Sequence, residues 1–160
     1  MEKFQKLRDA ANEKLHLADH MLTMTYPIVR DPKLLLSVIE NLFLSFSYSM
    51  SSLLHYERLF KRLPDFADNF ASKFELLKEN SSRYNIDSET IKTIQSLKEI
   101  IIAHKNSPME FQRSETLVIC NEDYQTLMIS ETIIKNYLEK IKLFIKNSSN
   151  IVSEDEKIFR

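Results

Sequence analysis

The sequence predicts a mainly α-helical fold, an antiparallel bundle of about five helices with one small β-hairpin before the last helix. Three observations carry this reading. Apolar residues recur at spacings of three and four along most of the 160 residues. Prolines or capping residues stand between those stretches. One stretch, 116–130, instead reads as apolar run, polar turn and apolar run.

In the first helix, expected over 3–25, Phe4, Leu7, Ala11, Leu15, Ala18 and Leu22 make one apolar stripe. Pro27 and the Asp31-Pro32 pair separate it from the second helix. Asp31 suits a cap, and Pro32 suits a first helical position, where its missing N–H costs nothing. The second helix, expected over 32–63, ends before Pro64. Its middle alternates Ser45, Ser47, Ser49 and Ser51 with Phe46, Tyr48 and Met50. Alternation is a strand signal, yet no turn residue interrupts the helical pattern on either side, so helix is predicted. The small side chains there would let a neighbouring helix approach closely. The wide apolar arc of this helix suits a twofold contact between copies.

Asp65 is read as the cap of a third helix, 65–80, carrying Phe66, Phe70, Phe74 and Leu77. Asp87 is read as the cap of a fourth, 88–105, with Ile86 and Ile91 in staple positions and Ile91, Ile94, Leu97 and Ile101 as its core stripe. Ser130 opens a fifth, 131–147, with Ile134, Tyr137, Leu138, Ile141, Phe144 and Ile145 on one side. Residues 1–147 are thus expected as one domain, with 148–160 a polar, frayed tail.

Composition narrows the function. A content of 43% hydrophobic and 28% charged residues is that of a globular domain. The net charge of −1 makes no global case for a nucleic-acid or membrane partner. There is no glycine. A Walker A loop, a GxGxxG turn and a GxSxG elbow are therefore excluded. Helix ends must use other residues, and Asn80, Asn106 and Asn147 stand where they could serve. Cys120 is the single cysteine, which excludes an intramolecular disulfide and a cysteine-rich zinc site. The opening MEKFQKLRDAANEKL is too charged for the apolar core of a secretory leader. The apolar stretch 34–46 is interrupted by Glu40, Asn41 and Ser45 and falls short of the roughly 20 residues that span a bilayer. A cytoplasmic setting without cofactor or membrane is expected.

Three groups of side chains are candidates for chemistry. Glu13, His16 and His20 have metal-ligand spacing on one helical face, but the wheel turns them away from the apolar stripe, where an ordinary polar face is the plainer reading. Lys135, Lys142 and Lys146 form a stripe on the last helix that could follow a phosphate backbone, or be a solvated face. His104 stands near the C-terminus of the fourth helix, where the helix dipole favours the imidazolium and burial opposes it. Either could suit it to proton transfer near neutral pH. Lys98, six residues earlier, flanks the same stripe, followed by Glu99.

The order of a long helix ending SMSSLLHYERLFKRLPDF, the segment SLKEIIIAHKNSP and the amphipathic ETIIKNYLEKIKLFIK resembles the HEPN superfamily of small helical proteins. Blocks such as HMLTMTYPIVRDPKLLL and HKNSPMEF also look like a family of small archaeal helical proteins. The HEPN resemblance implies RNA binding or metal-independent RNA cleavage, often in a homodimer that joins two motifs, or docking of a partner protein. Carried onto this chain, it gives His104 the acid or base role and puts Lys98 in the arginine position, with Glu99 in the polar slot. Lysine keeps the charge but lacks the guanidinium fork that grips phosphate. The competing reading is a non-catalytic protein-interaction module without a nucleic-acid role.

Overall fold

The computed structural model describes residues 2–107 and 109–158, the last four by their backbone alone. The chain is mainly helical, with a small three-stranded antiparallel sheet before the last helix. The helices are α1 (Lys3–His20), α2 (Tyr26–Val29), α3 (Lys33–Leu59), α4 (Phe70–Glu79), α5 (Ser88–Asn106) and α6 (Glu131–Ile158). The strands are β1 (Met109–Arg113), β2 (Thr116–Cys120) and β3 (Thr126–Ile129).

α3 is the centre of the molecule. By length and composition it could cross a membrane; here α1, α4, α5 and α6 pack around it. Leu35, Ile39, Leu42, Phe46, Met50 and Leu53 are fully buried, each worth about 1.5–3 kcal/mol of burial. The Phe46 ring joins three helices, 4.8 Å from Phe144 of α6 and 6.2 Å from Phe74 of α4. The wide apolar arc is therefore largely covered within the chain, with Tyr48 half-buried.

The serine-rich middle of α3 is helical, as expected. Ser45 and Ser47 donate to the carbonyls of Leu42 and Phe43, both at 2.8 Å. Ser52 donates to the Phe4 carbonyl of α1 at 2.6 Å. Small side chains do bring α1 and α3 close enough for a side chain of one to reach the backbone of the other.

Several boundaries differ from expectation. α1 ends at His20, but the chain continues through a wider π turn, Met21–Thr25, into α2. The Tyr26 N–H reaches back five residues to the Met21 carbonyl. The wider turn precedes Pro27, whose missing N–H interrupts the regular ladder. α4 begins at Phe70, not Asp65. Asn69 is its cap, accepting the Ser72 N–H at 2.8 Å. Phe66 is drawn out of helical register onto α3, its ring 5.2 Å from the His55 ring and beneath the Arg58 guanidinium. α3 ends at Leu59 because Lys61 takes a left-handed conformation (φ 58°) and Arg62 N–H closes onto the Glu57 carbonyl at 2.9 Å. Asp87 caps α5 as expected, accepting from Thr90 N–H. Asp31 does not cap α3: the helix begins at Lys33, Pro32 takes the cap position instead of the first helical one, and the Asp31 carboxylate accepts only the Lys33 N–H two residues on.

The expected hairpin is β2–β3, with Leu117 opposite Ile129 and Cys120 opposite Thr126. β1 is an addition to the expected elements. It pairs with β2 through Met109–Cys120, Phe111–Val118 and Arg113–Thr116. All five of its residues are exposed, so it has no alternation to betray it. Ser107 fastens the sheet to α5, donating to the Met109 and Cys120 carbonyls.

The segment 148–158 is not a frayed tail. It continues α6, with Ser148 and Val152 buried. Val152 packs with Phe4 and Tyr56, whose rings meet edge-on at 5.3 Å. Ile151 and Val152 thus bring this polar-looking segment back to the seam between α1 and α3, although its apolar residues are few. The expectation for 159–160 lies outside the described residues.

Candidate functional site

A groove of about 500 Å³ opens between α4, α5 and the β2–β3 turn. Its floor is apolar: Phe70 and Phe74 from α4, and Ile94, Ile102 and Ala103 from α5. The α4 rings face the groove because Asn69 starts that helix one residue before Phe70, stacking Phe70 on Phe74 at 5.4 Å. Lys98 lies along the floor with its ammonium 4.8 Å from the Phe70 centroid, a cation–π contact worth about 0.5–1 kcal/mol at an exposed site.

The opposite rim is acidic. Glu99 comes from α5, and Asn121, Glu122 and Asp123 from the turn. Asn121 shapes that turn: its side-chain carbonyl accepts from the N–H groups of Asp123 at 3.0 Å and Gln125 at 2.8 Å. Tyr124 takes a left-handed φ of 60° at its apex. From sequence these residues read only as a polar connection. The signal that could have marked them is a two-carboxylate turn following an apolar strand.

Of the three residues placed in a nuclease role, Lys98 and Glu99 line this groove and His104 does not. Six residues turn a helix by about 600°, so the two side chains leave α5 about 120° apart. His104 points to β1 and joins the Glu110 carboxylate through Nδ1. A carboxylate oxygen accepts here, so that nitrogen carries the proton. Lys98 and His104 are thus held by different neighbours, one by an aromatic ring and one by an acid.

The stripe on α6 is likewise divided. Lys135 pairs with Glu131 at 2.8 Å. Lys142 reaches Asp19 of α1 at 3.0 Å and Glu139 at 3.8 Å, so it bridges two helices. Lys146 is exposed. Glu13, His16 and His20 lie on the outer side of α1, away from the core as the wheel indicated. Among the described residues no cluster of three or more His, Cys, Asp or Glu could hold a metal ion.

A second polar site has no counterpart among the sequence-level candidates. It lies between α1, α3 and α4 around a hollow of about 310 Å³. Lys73 of α4 donates to the Ser51 hydroxyl at 3.0 Å and pairs with Asp68. Lys3 reaches the same carboxylate at 3.6 Å. His55, one helical turn after Ser51, faces Asp68 with Nε2 3.8 Å from its oxygen. Burial, then the charges of Lys3, Arg58 and Lys73, push the His55 pKa down to about 4. The Lys73 hydrogen bond holds the Asp68 carboxyl below its ordinary range. A histidine and several serines inside an apolar helix were the available signal.

Next to it, the buried Glu57 carboxylate receives Arg62 at 3.0 Å, the Tyr84 hydroxyl at 3.2 Å and Arg83 at 3.4 Å. Burial and the adjacent carboxylate raise the Tyr84 pKa. This cluster ties the loops on either side of α4 to α3 and is closed to ligands by its own partners. Comparison with protein-family models, with curated proteins and with solved structures finds no match to this chain.

Proposed function

We propose that this chain is a non-catalytic binding module of the HEPN-like, antiparallel-bundle type, whose α4–α5 groove takes an apolar, basic segment of a partner protein. The HEPN-like part of the reading is supported by the order of elements: a long central α3, a phenylalanine-rich α4, an α5 ending near a histidine, and an amphipathic α6. The observation that carries the binding role is the groove itself, an apolar floor crossed by one ammonium, Lys98, beneath a rim with three carboxylates, Glu99, Glu122 and Asp123. Apolar contacts supply affinity, and the carboxylates select a segment carrying Lys or Arg. Phosphates would be repelled by that rim. The α6 lysines add no continuous cationic path to it, because Lys135 and Lys142 are paired with acids.

Random-peptide selection on the immobilised chain tests this. Enriched peptides are expected to combine an aromatic or branched anchor with Lys or Arg. Ile102 is half-exposed on the groove floor, so Ile102→Asp should weaken selected peptides about tenfold or more, equivalent to about 1.4 kcal/mol, without harming the fold. Acidic peptides, or binding indifferent to Ile102→Asp, would overturn the reading. So would ultraviolet crosslinks from single-stranded RNA mapping to the groove.

A further inference from the structure

We propose that the hollow between α1, α3 and α4 is a second binding site, for a small organic anion: a carboxylate or phosphate monoester with an apolar body, held by Lys3, Lys73 and the His55 ring. It shares Phe70 with the α4–α5 groove but opens between different helices and does not depend on that groove's role.

The His55 tautomer is fixed by its neighbour. Arg58 Nη2 lies 2.9 Å from His55 Nδ1. A guanidinium only donates, so Nδ1 must accept. The ring is neutral at pH 7, and its single proton therefore sits on Nε2. That N–H lies behind the Asp68 carboxylate, closed off from solvent on a side chain only 6% exposed, and has no hydrogen-bond partner, although His55 itself lines the hollow. The nearest carboxylate oxygen, Asp68 Oδ1, is 3.8 Å away, beyond hydrogen-bond reach. A buried donor left unmet is unfavourable, and an acceptor that takes the place of the Asp68 carboxylate and comes within hydrogen-bond reach would satisfy it.

The surroundings favour an anionic acceptor. Lys3 enters from α1 and Lys73 from α4, and Arg58 lies behind the ring. Among the described residues, Asp68 is the one carboxylate lining the hollow. Asn69 caps α4 beside it, so the positive end of a ten-residue helix borders the same space. Leu7, Phe43, Met50 and Phe70 supply an apolar wall. A volume of about 310 Å³ is far more than the roughly 30 Å³ share of one bridging water. The site is not built for nucleophilic chemistry. The Lys73 ammonium donates to Ser51, and His55 has its lone pair engaged by Arg58, so neither takes the hydroxyl proton.

Asp68 has a second part to play. It is exposed at the rim, and its carboxylate now occupies both ammoniums. It stands where the ligand's own anionic group would stand and competes with it.

Nuclear magnetic resonance of the His55 ring tests the proposal on the whole chain. The probes are phenylacetate, phenyl phosphate, inorganic phosphate and, as a neutral control, benzyl alcohol. A bound anion favours the imidazolium, so phenylacetate or phenyl phosphate should raise the His55 pKa saturably. The better of the two identifies the anionic group. Asp68→Asn should tighten that binding several-fold, and Lys3→Ala should weaken it several-fold. Both side chains are exposed, so neither change threatens the fold. No response to either aromatic anion would overturn the proposal. So would an equal response to benzyl alcohol, inorganic phosphate binding as well as phenyl phosphate, or weaker binding in Asp68→Asn.

Discussion

His55 joins burial to three nearby cations, and each disfavours its protonated form. Its ordinary value of 6.5 falls to about 4 in the folded chain. Between those limits the unfolded chain binds the additional proton, so stability rises with pH across this window. The contribution is fully present above pH 6.5 and is lost as pH falls toward 4. It should amount to on the order of 2 kcal/mol, allowing for the open hollow beside the ring. Urea melts at several pH values should show this slope in the natural chain and its loss in His55→Asn. Asp68 and Asp87, whose carboxyls are held low by Lys73 and by the Thr90 N–H, add acid sensitivity at still lower pH. Other single residues carry conformational cost. With no glycine in the chain, left-handed turns fall to Arg30, Lys61, Asn85, Ser114 and Tyr124. Each costs about 1 kcal/mol of backbone energy. Of the asparagines marked from sequence, Asn80 does close α4, bonding the Leu76 carbonyl at 2.8 Å. Asn106 is the last residue of α5, and Asn147 lies inside α6.

At the scale of elements, the last turns of α6 tie α1 to α3. Val152 is buried against Phe4 of α1 and Tyr56 of α3, so three helices share one small cluster beyond the main core. Arg8 of α1 adds a hydrogen bond to Ser153 at 3.1 Å. Val152→Ala should therefore cost about 1–2 kcal/mol, from lost burial and the space left behind. Chemical denaturation would measure it; an unchanged midpoint would mean that the end of α6 does not hold the α1–α3 seam. The sheet works differently. Leu117, Ile119 and Ile129 face the core, while Phe111, Met109 and Met128 remain exposed on its other side. Its contribution to the groove is positional, setting the acidic turn across from α5.

Over the whole molecule, the near-zero net charge is distributed as interspersed pairs. Lys135–Glu131, Lys142–Asp19 and His104–Glu110 each place a basic group from the sequence-level candidates beside an acid. Phosphate binding gains from released counterions in proportion to the cations available. The chain should accordingly bind single-stranded RNA no better than non-specific contact, weaker than about 10⁻⁶ M at physiological salt. Filter binding across a salt series would check this. Tighter binding with a steep salt slope, weakened by replacing Lys135, Lys142 and Lys146 with alanine, would restore the nucleic-acid reading.

The sequence by itself determined the helices, because periodicity and caps act over a few neighbouring residues. Ile94 and Leu97 on α5, Asp87 before it and Ser130 before α6 are local statements that needed no fold to interpret. It also determined the absence of glycine-built phosphate loops. Tertiary structure decided what lies across a gap. Asn69 prevailed over Asp65 as the α4 cap while Phe66 packed onto His55 and Arg58. β1 became a strand because β2 was there to pair with it, although MEFQR has no pattern of its own. Val152 became core only where α1 and α3 meet. The same reason governs the sites. Lys98, Glu99 and His104 are close in sequence, yet helix geometry leaves Lys98 and Glu99 at the groove and sends His104 to Glu110 of β1. Ser51, His55, Asp68 and Lys73 meet only because two helices pack side by side, and side-chain convergence between elements is the information that spacing along one chain does not contain.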